Sequence, residues 1–205
     1  RCGCHGARAE PLRRQRQMCI SARAYCYLAS ERMFELFDQY RVNLLWRPLG
    51  GWHGRSDPDR AKVKMPIARQ DVARWACRFG MPLTPPPKST DPTRAGAGSL
   101  LAEKEGLLKP YVVAMMRAEW SDGLDIGDAE VLVSVAESVG LDREAFAKAI
   151  DDPELHAQLD RNWLEAQEKG GLGVPTFVIG DQIVWGQDRL DFVGEHLLDL
   201  GAARQ

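Results

Sequence analysis

Hydrophobic and polar positions alternate weakly near the start of the chain. Met18, Ile20, Ala22 and Ala24 alternate with Cys19, Ser21 and Arg23. A period of two predicts a strand. From Tyr25 to Tyr40 the spacing changes. Leu28, Phe34, Phe37 and Tyr40 fall on one helical stripe, and Glu31, Arg32, Glu35 and Asp38 on the opposite side. The run from Val42 to Arg47 predicts a second strand, which Pro48 stops. The order is strand, helix, strand.

From about Asp57 to Lys169 the pattern is helical. Val72, Trp75, Ala76 and Phe79 mark a helix over residues 71–79, and Thr84–Thr93 (TPPPKSTDPT) reads as a loop. Residues 98–120 carry helical stretches broken near Gly106 and Pro110. Asp128 and Asp142 are N-caps for helices through Val139 and to about Ile150. Asp152-Pro153 is the clearest start: Asp at the cap, Pro in the first turn, then Leu155, Leu159, Trp163 and Ala166. Gly170-Gly171 ends that helix.

The stretch GLGVPTFVIGDQIVWGQDRL spans Gly171 to Leu190. Thr176 to Ile179 is β-branched and aromatic, Gly180-Asp181 is turn chemistry, and Ile183-Val184-Trp185 is the returning strand. Pro175 cannot donate to a ladder, so it belongs at the mouth of the first strand. A helix from Leu190 to Leu200 closes the chain. The layout is α/β and thioredoxin-like: strand–helix–strand, an all-helical insertion, then strand–strand–helix. Residues 18–56 and 171–205 would form the thioredoxin-like domain and 57–170 the helical insertion.

Composition narrows the function. A chain of 205 residues at 44% hydrophobic buries a proper core. A formal charge of −2 and a pI near 6.1 give no electrostatic case for nucleic acid or an anionic membrane. No apolar run approaches the ~20 residues a bilayer demands. Five cysteines without an even framework suggest a reducing compartment, so a cytoplasmic location is expected. Residues 1–17 carry five arginines and almost no large apolar side chain, and are expected to be a disordered or non-native leader. Cys2, Cys4 and His5 lie too close together to close a tetrahedron, and no second cluster exists, so no metal is expected.

Several stretches in fixed order carry a resemblance: YCYLASERM, WRPLGG, DVARWACRFGMPL, EWSDGLDIGDAEVL, GVPTFVIG and WGQDRLDFV. Over roughly residues 25–200 the chain resembles the 2-hydroxychromene-2-carboxylate isomerase family, close to kappa-class glutathione transferases and DsbA-type oxidoreductases. The resemblance implies a glutathione cofactor, a small aromatic carboxylate substrate and a homodimer. It also implies a cis Val174–Pro175 bond, with the Val174 backbone pairing with glutathione as with a short strand. From the residues alone, Pro175 is an ordinary trans proline opening a strand. The γ-glutamyl end would meet Asp188 and Arg189, with Gln187 beside them, where a helix N-terminus offers free amides. Asp188 also reads as a plain helix cap. Lys64, seven residues before Asp71, would meet a carboxylate, with Lys62 as the alternative. Trp46 and Trp52 are candidate walls for the aromatic substrate, or core residues.

One corner departs from the resemblance. The family reads Ser-Pro-Tyr-Ser/Cys-Tyr-Leu, its first serine facing the glutathione sulfur. Here Arg23 stands at that serine and Ala24 at the proline, while Ser21 lies two residues early. Three readings stay open: Arg23 stabilises a thiolate by charge, a slipped register brings in Ser21, or residues 1–24 are not the natural start. Arg23 and Ser21 are thus the catalytic candidates. Without a cysteine at 23 there is no Cys-x-x-Cys pair, so Cys26 reads as a small core residue, as does Cys77. The implied activity is glutathione-dependent cis-trans isomerisation by reversible thiolate addition. The alternatives are a kappa-like glutathione transferase and a catalytically impaired glutathione-binding relative.

Overall fold

In the computed structural model the described residues are 16–20 (backbone), 22–51, 53, 57–170 and 173–204. Ser21, Trp52 and the Cys2–Cys4–His5 cluster lie outside them. Strand β1 is Arg16–Ile20, which starts two residues earlier than the alternation suggests and ends before Ala24. Helix α1, Ala24–Asp38, follows, and β2 is Leu44–Pro48. β1 and β2 are parallel, as a helical crossover requires. The helical segment contains α2 (Pro58–Phe79), α3 (Thr93–Lys104), α4 (Leu108–Trp120), α5 (Ala129–Ser138), α6 (Arg143–Ala149) and α7 (Pro153–Glu168). β3 (Thr176–Ile179), β4 (Gln182–Trp185), a 3₁₀ turn (Gln187–Arg189) and α8 (Leu190–Asp199) complete the chain. The sheet order is β2-β1-β3-β4, with β3 antiparallel to both neighbours.

Local chemistry explains the boundaries. Asp128, Asp142 and Asp152 accept the amides of Glu130, Ala145 and Glu154, as N-caps do. Gly106 at φ +73 makes the break between α3 and α4, while Pro110 sits harmlessly in the first turn of α4. α2 is the main difference from expectation. It begins at Pro58, capped by Asp57, and runs through Pro66 to Phe79. Its first half presents Val63, Met65 and Ile67 to solvent, so no buried stripe marks it. Cys77, expected to pack, is exposed: burial falls on Val72 and Ala76, and the next residue points about 100° away.

The core lies between α1, α8 and the sheet. Cys26, Met33, Phe34 and Phe37 of α1 meet Trp46, Phe177 and Ile179 of the sheet and Val193 and Leu197 of α8. Phe34 stacks on Trp46 at 6.3 Å, and Phe37 meets Phe177 edge-on at 6.2 Å. Trp46 is 1% exposed and donates its indole N–H to Ser99 at 2.8 Å, so it is a core residue and not a substrate wall. The same apolar cluster continues into Tyr111, Met115 and Phe146 of the inserted helices.

Candidate functional site

Sheet register brings the site residues together. Thr176 pairs with Cys19 across β1–β3, so Pro175 falls beside the end of β1, where the chain turns into α1. Thr176 also pairs with Trp185, so the end of β4 lies at the same edge. The amide of Gly186 donates to the Pro175 carbonyl at 3.0 Å and joins the 3₁₀ turn to the proline. The Val174–Pro175 bond is cis. Among the described residues the Val174 backbone has no hydrogen-bond partner, so it can pair with an extended peptide.

Gly186 is required at its position. Its φ is +106, and a Cβ would lie 2.6 Å from an Asp188 carboxylate oxygen. Asp188 folds back over this glycine and pairs with Arg189 at 3.1 Å. Arg189 also donates to the Trp185 carbonyl at 2.9 Å. Both side chains are partly open to solvent. Neither N-cap residue, Gly186 of the 3₁₀ turn or Arg189 of α8, makes a side-chain cap, and among the described residues the Asp188 carboxylate accepts only from Arg189, so it does not cap a helix and the first amides of the turn keep their capacity for an anion. Gln187 differs: it is 2% exposed and its side-chain oxygen accepts from Arg32 at 3.1 Å. Its side chain is turned into the protein.

The N-terminus of α1 forms the facing side. Arg23 holds the extended N-cap geometry, and its carbonyl accepts the amides of Cys26 and Tyr27 at 2.8 and 2.9 Å. Its guanidinium donates to the His53 carbonyl at 2.7 Å. Cys26 is fully buried one turn later, in keeping with a packing role. The Tyr25 hydroxyl donates to the Asp71 carboxylate of α2 at 2.8 Å. Burial, that hydrogen bond, and the charges of Asp71 and Asp188 all push the Tyr25 phenol above its ordinary range. Lys64 is exposed on the same face of α2 as Asp71, about 10 Å along the axis. Its side chain makes no hydrogen bond or ion pair among the described residues.

The structure thus gathers Arg23, Val174, Pro175, Asp188 and Arg189 around one corner and leaves Lys64 at its outer edge. Tyr25, Asp71 and Arg32 join the corner without having been singled out. Tyr25 and Asp71 were visible in the motif stretches, but nothing in spacing says that they touch. Arg32 sat on the polar side of the α1 stripe, the usual place for a solvated charge.

A short extended peptide with a free amino-acid end fits this donor set: among the described residues, an unpaired backbone edge at Val174, amides without a side-chain cap at the 3₁₀ turn, and an accessible carboxylate for an ammonium. Among the described residues, no group of three histidine, cysteine or acidic side chains is placed to hold a metal.

Comparisons with known proteins agree with this frame. Residues 24–198 match the model of the DsbA-like thioredoxin domain. The chain is 30% identical over 184 residues to a 2-hydroxychromene-2-carboxylate isomerase from Sphingobium xenophagum, covering 85% of this chain and 93% of that one. A solved structure of a 2-hydroxychromene-2-carboxylate isomerase superposes with a TM-score of 0.78 at 25% identity, over 91% of this chain and 96% of the other. The cytosolic disulfide reductase DsbM from Pseudomonas aeruginosa, solved with GSH, shares the fold at a TM-score of 0.67 and 22% identity, over 91% and 95% of the two chains. The chain therefore belongs to the DsbA-like thioredoxin domain family and, within it, to the 2-hydroxychromene-2-carboxylate isomerases.

Proposed function

We propose that this chain is a glutathione-dependent cis-trans isomerase of a small aromatic carboxylate of the 2-hydroxychromene-2-carboxylate type, working in the cytoplasm. One observation carries the proposal. The unpaired Val174 backbone and the uncapped Gln187–Arg189 turn are joined through Gly186, beside the N-terminus of α1. That arrangement suits a short peptide lying edge-on, with its central residue at Val174 and its amino-acid end at Asp188. Relatives with the isomerase name support the reaction class.

Glutathione, when bound, supplies a thiolate that adds reversibly to a conjugated double bond, so that rotation becomes possible before elimination. The protein's share is alignment and charge. Val174 fixes the peptide by backbone pairing. Asp188 takes an ammonium and the adjacent amides take a carboxylate. Arg23 and the first turn of α1 place positive charge at the corner, which favours a thiolate over a thiol. Lys64, exposed on α2, would meet a carboxylate of either partner.

The test is an absorbance assay of the interconversion of 2-hydroxychromene-2-carboxylate and the trans-benzylidenepyruvate form, with and without glutathione. Acceleration that needs glutathione and leaves its concentration unchanged is expected. Glutathione consumed in proportion to product indicates the kappa-like transferase. A second reading is favoured by Arg23 and Ala24 standing where serine and proline belong, with Arg23 committed to the His53 carbonyl. It is a glutathione-binding relative without turnover. It predicts binding with no rate, and recovery of rate in the double variant R23S/A24P.

A further inference from the structure

Arg32 lies on α1 and Gln187 follows it by 155 residues, yet the two touch. The Arg32 guanidinium donates to the Gln187 backbone oxygen at 3.3 Å and to its side-chain oxygen at 3.1 Å. Its face lies over the Phe79 ring, 4.2 Å from the centroid. Phe79 stacks on Trp75 at 5.3 Å. One partly buried cation therefore ties together α1, the C-terminal end of α2 and the 3₁₀ turn. A planar guanidinium can fork to two oxygens while stacking on a ring, whereas a lysine ammonium cannot do both. Burial weakens the charge, and the carboxylates of Asp191 and Glu35 support it.

Gln187 immediately precedes Asp188. The N-cap Gly186 offers no side-chain cap, and Asp188 and Arg189 are solvent-accessible, so among the described residues the inward hydrogen bonds of the turn are those from Arg32 and the Gly186–Pro175 bond. We infer that Arg32 is a positioning residue for the Gln187–Arg189 turn and, through that turn, sets the affinity for the amino-acid end of a γ-glutamyl peptide. The inference rests on the glutathione reading for its ligand, but the positioning itself does not.

Three variants of the full chain test it: R32M, R32K and D188A, each with R32M/D188A for comparison. Glutathione binding is measured by calorimetry, and amide hydrogen exchange is followed at residues 187–190. The expectation for R32M is about a tenfold rise in the glutathione dissociation constant, the size of one lost charged hydrogen bond. R32K should recover less than half of that loss. In the D188A background the R32M effect should shrink to under twofold, because both act on the same ligand group. Exchange at 187–190 should quicken in R32M while α4 to α6 keep their protection. If the two effects multiply, if R32K restores full affinity, or if exchange at the turn is unchanged, the positioning role is wrong. If the unaltered chain does not bind glutathione, the ligand reading fails, and faster or unchanged exchange at 187–190 in R32M still decides for or against Arg32 as the anchor of the turn.

Discussion

The Tyr25 hydroxyl donates to the Asp71 carboxylate at 2.8 Å, and this bond joins the first turn of α1 to the middle of α2. Around it Leu28, Val72 and Ala76 form a small apolar cluster of their own, with Trp75 and Phe79 packed against it. Y25F should therefore cost about 1–2 kcal/mol, since it leaves a partly buried carboxylate short of one donor. D71N keeps an acceptor and should cost less. Urea unfolding of the variants measures both, and equal costs would count against the bond.

The same pair sets a pH dependence at the alkaline end. The folded Tyr25 phenol is raised above its unfolded value, so the folded state holds this proton more tightly. The stability it contributes is complete below the ordinary phenol pKa near 10 and is lost as pH rises beyond that point. Y25F should flatten the decline in unfolding free energy above pH 10. An unchanged alkaline slope would contradict this.

At the acid end the sign reverses. Burial pulls Glu165 upward, but hydrogen bonds from Lys169 and Arg47 and their charges outweigh it, so its folded pKa is depressed. Its contribution is present above the ordinary glutamate range and disappears as pH falls through the folded value. E165Q should lower stability at neutral pH and reduce the acid-induced loss, measured by unfolding midpoints between pH 6 and pH 3.

Gly98 supplies a packing test. In a helix interior, glycine to alanine normally gains up to about 1 kcal/mol. At this site on α3 a Cβ would lie 2.5 Å from the Phe146 ring and 2.8 Å from the Tyr111 hydroxyl. G98A should therefore destabilise, by about 1–3 kcal/mol. A stabilised variant would show that the ring can move aside.

The proposed glutathione corner gives the last prediction. D188A should weaken glutathione binding at least tenfold with little change in thermal midpoint, because the side chain is accessible and its ion pair with Arg189 is at the surface. A variant that binds as before would remove Asp188 from the site.

Much of the fold was legible because its signals are local. Asp152-Pro153 announces α7, and Gly180-Asp181 announces the β3–β4 hairpin. The first half of α2 was not legible from periodicity, since it buries nothing, although Asp57-Pro58 carries the same start signal as Asp152-Pro153. Val174–Pro175 could be named as site residues only through the resemblance, because trans is the ordinary form of such a bond. Arg32 was not legible at all. An arginine beside Glu31 on an amphipathic stripe looks solvated, and only the packed structure shows that it turns inward to Phe79 and Gln187.

The pairing of Thr176 with both Cys19 and Trp185 fixes the corner by position across the sheet and makes it indifferent to distance along the chain. The polypeptide between β2 and β3 can then change in length at its connecting loops at small entropic cost, since loop closure grows only logarithmically with size, while its helices keep their packing on α1. If that edge holds the proposed thiol, exposed positions on the helices between those strands are the ones free to vary for different second substrates.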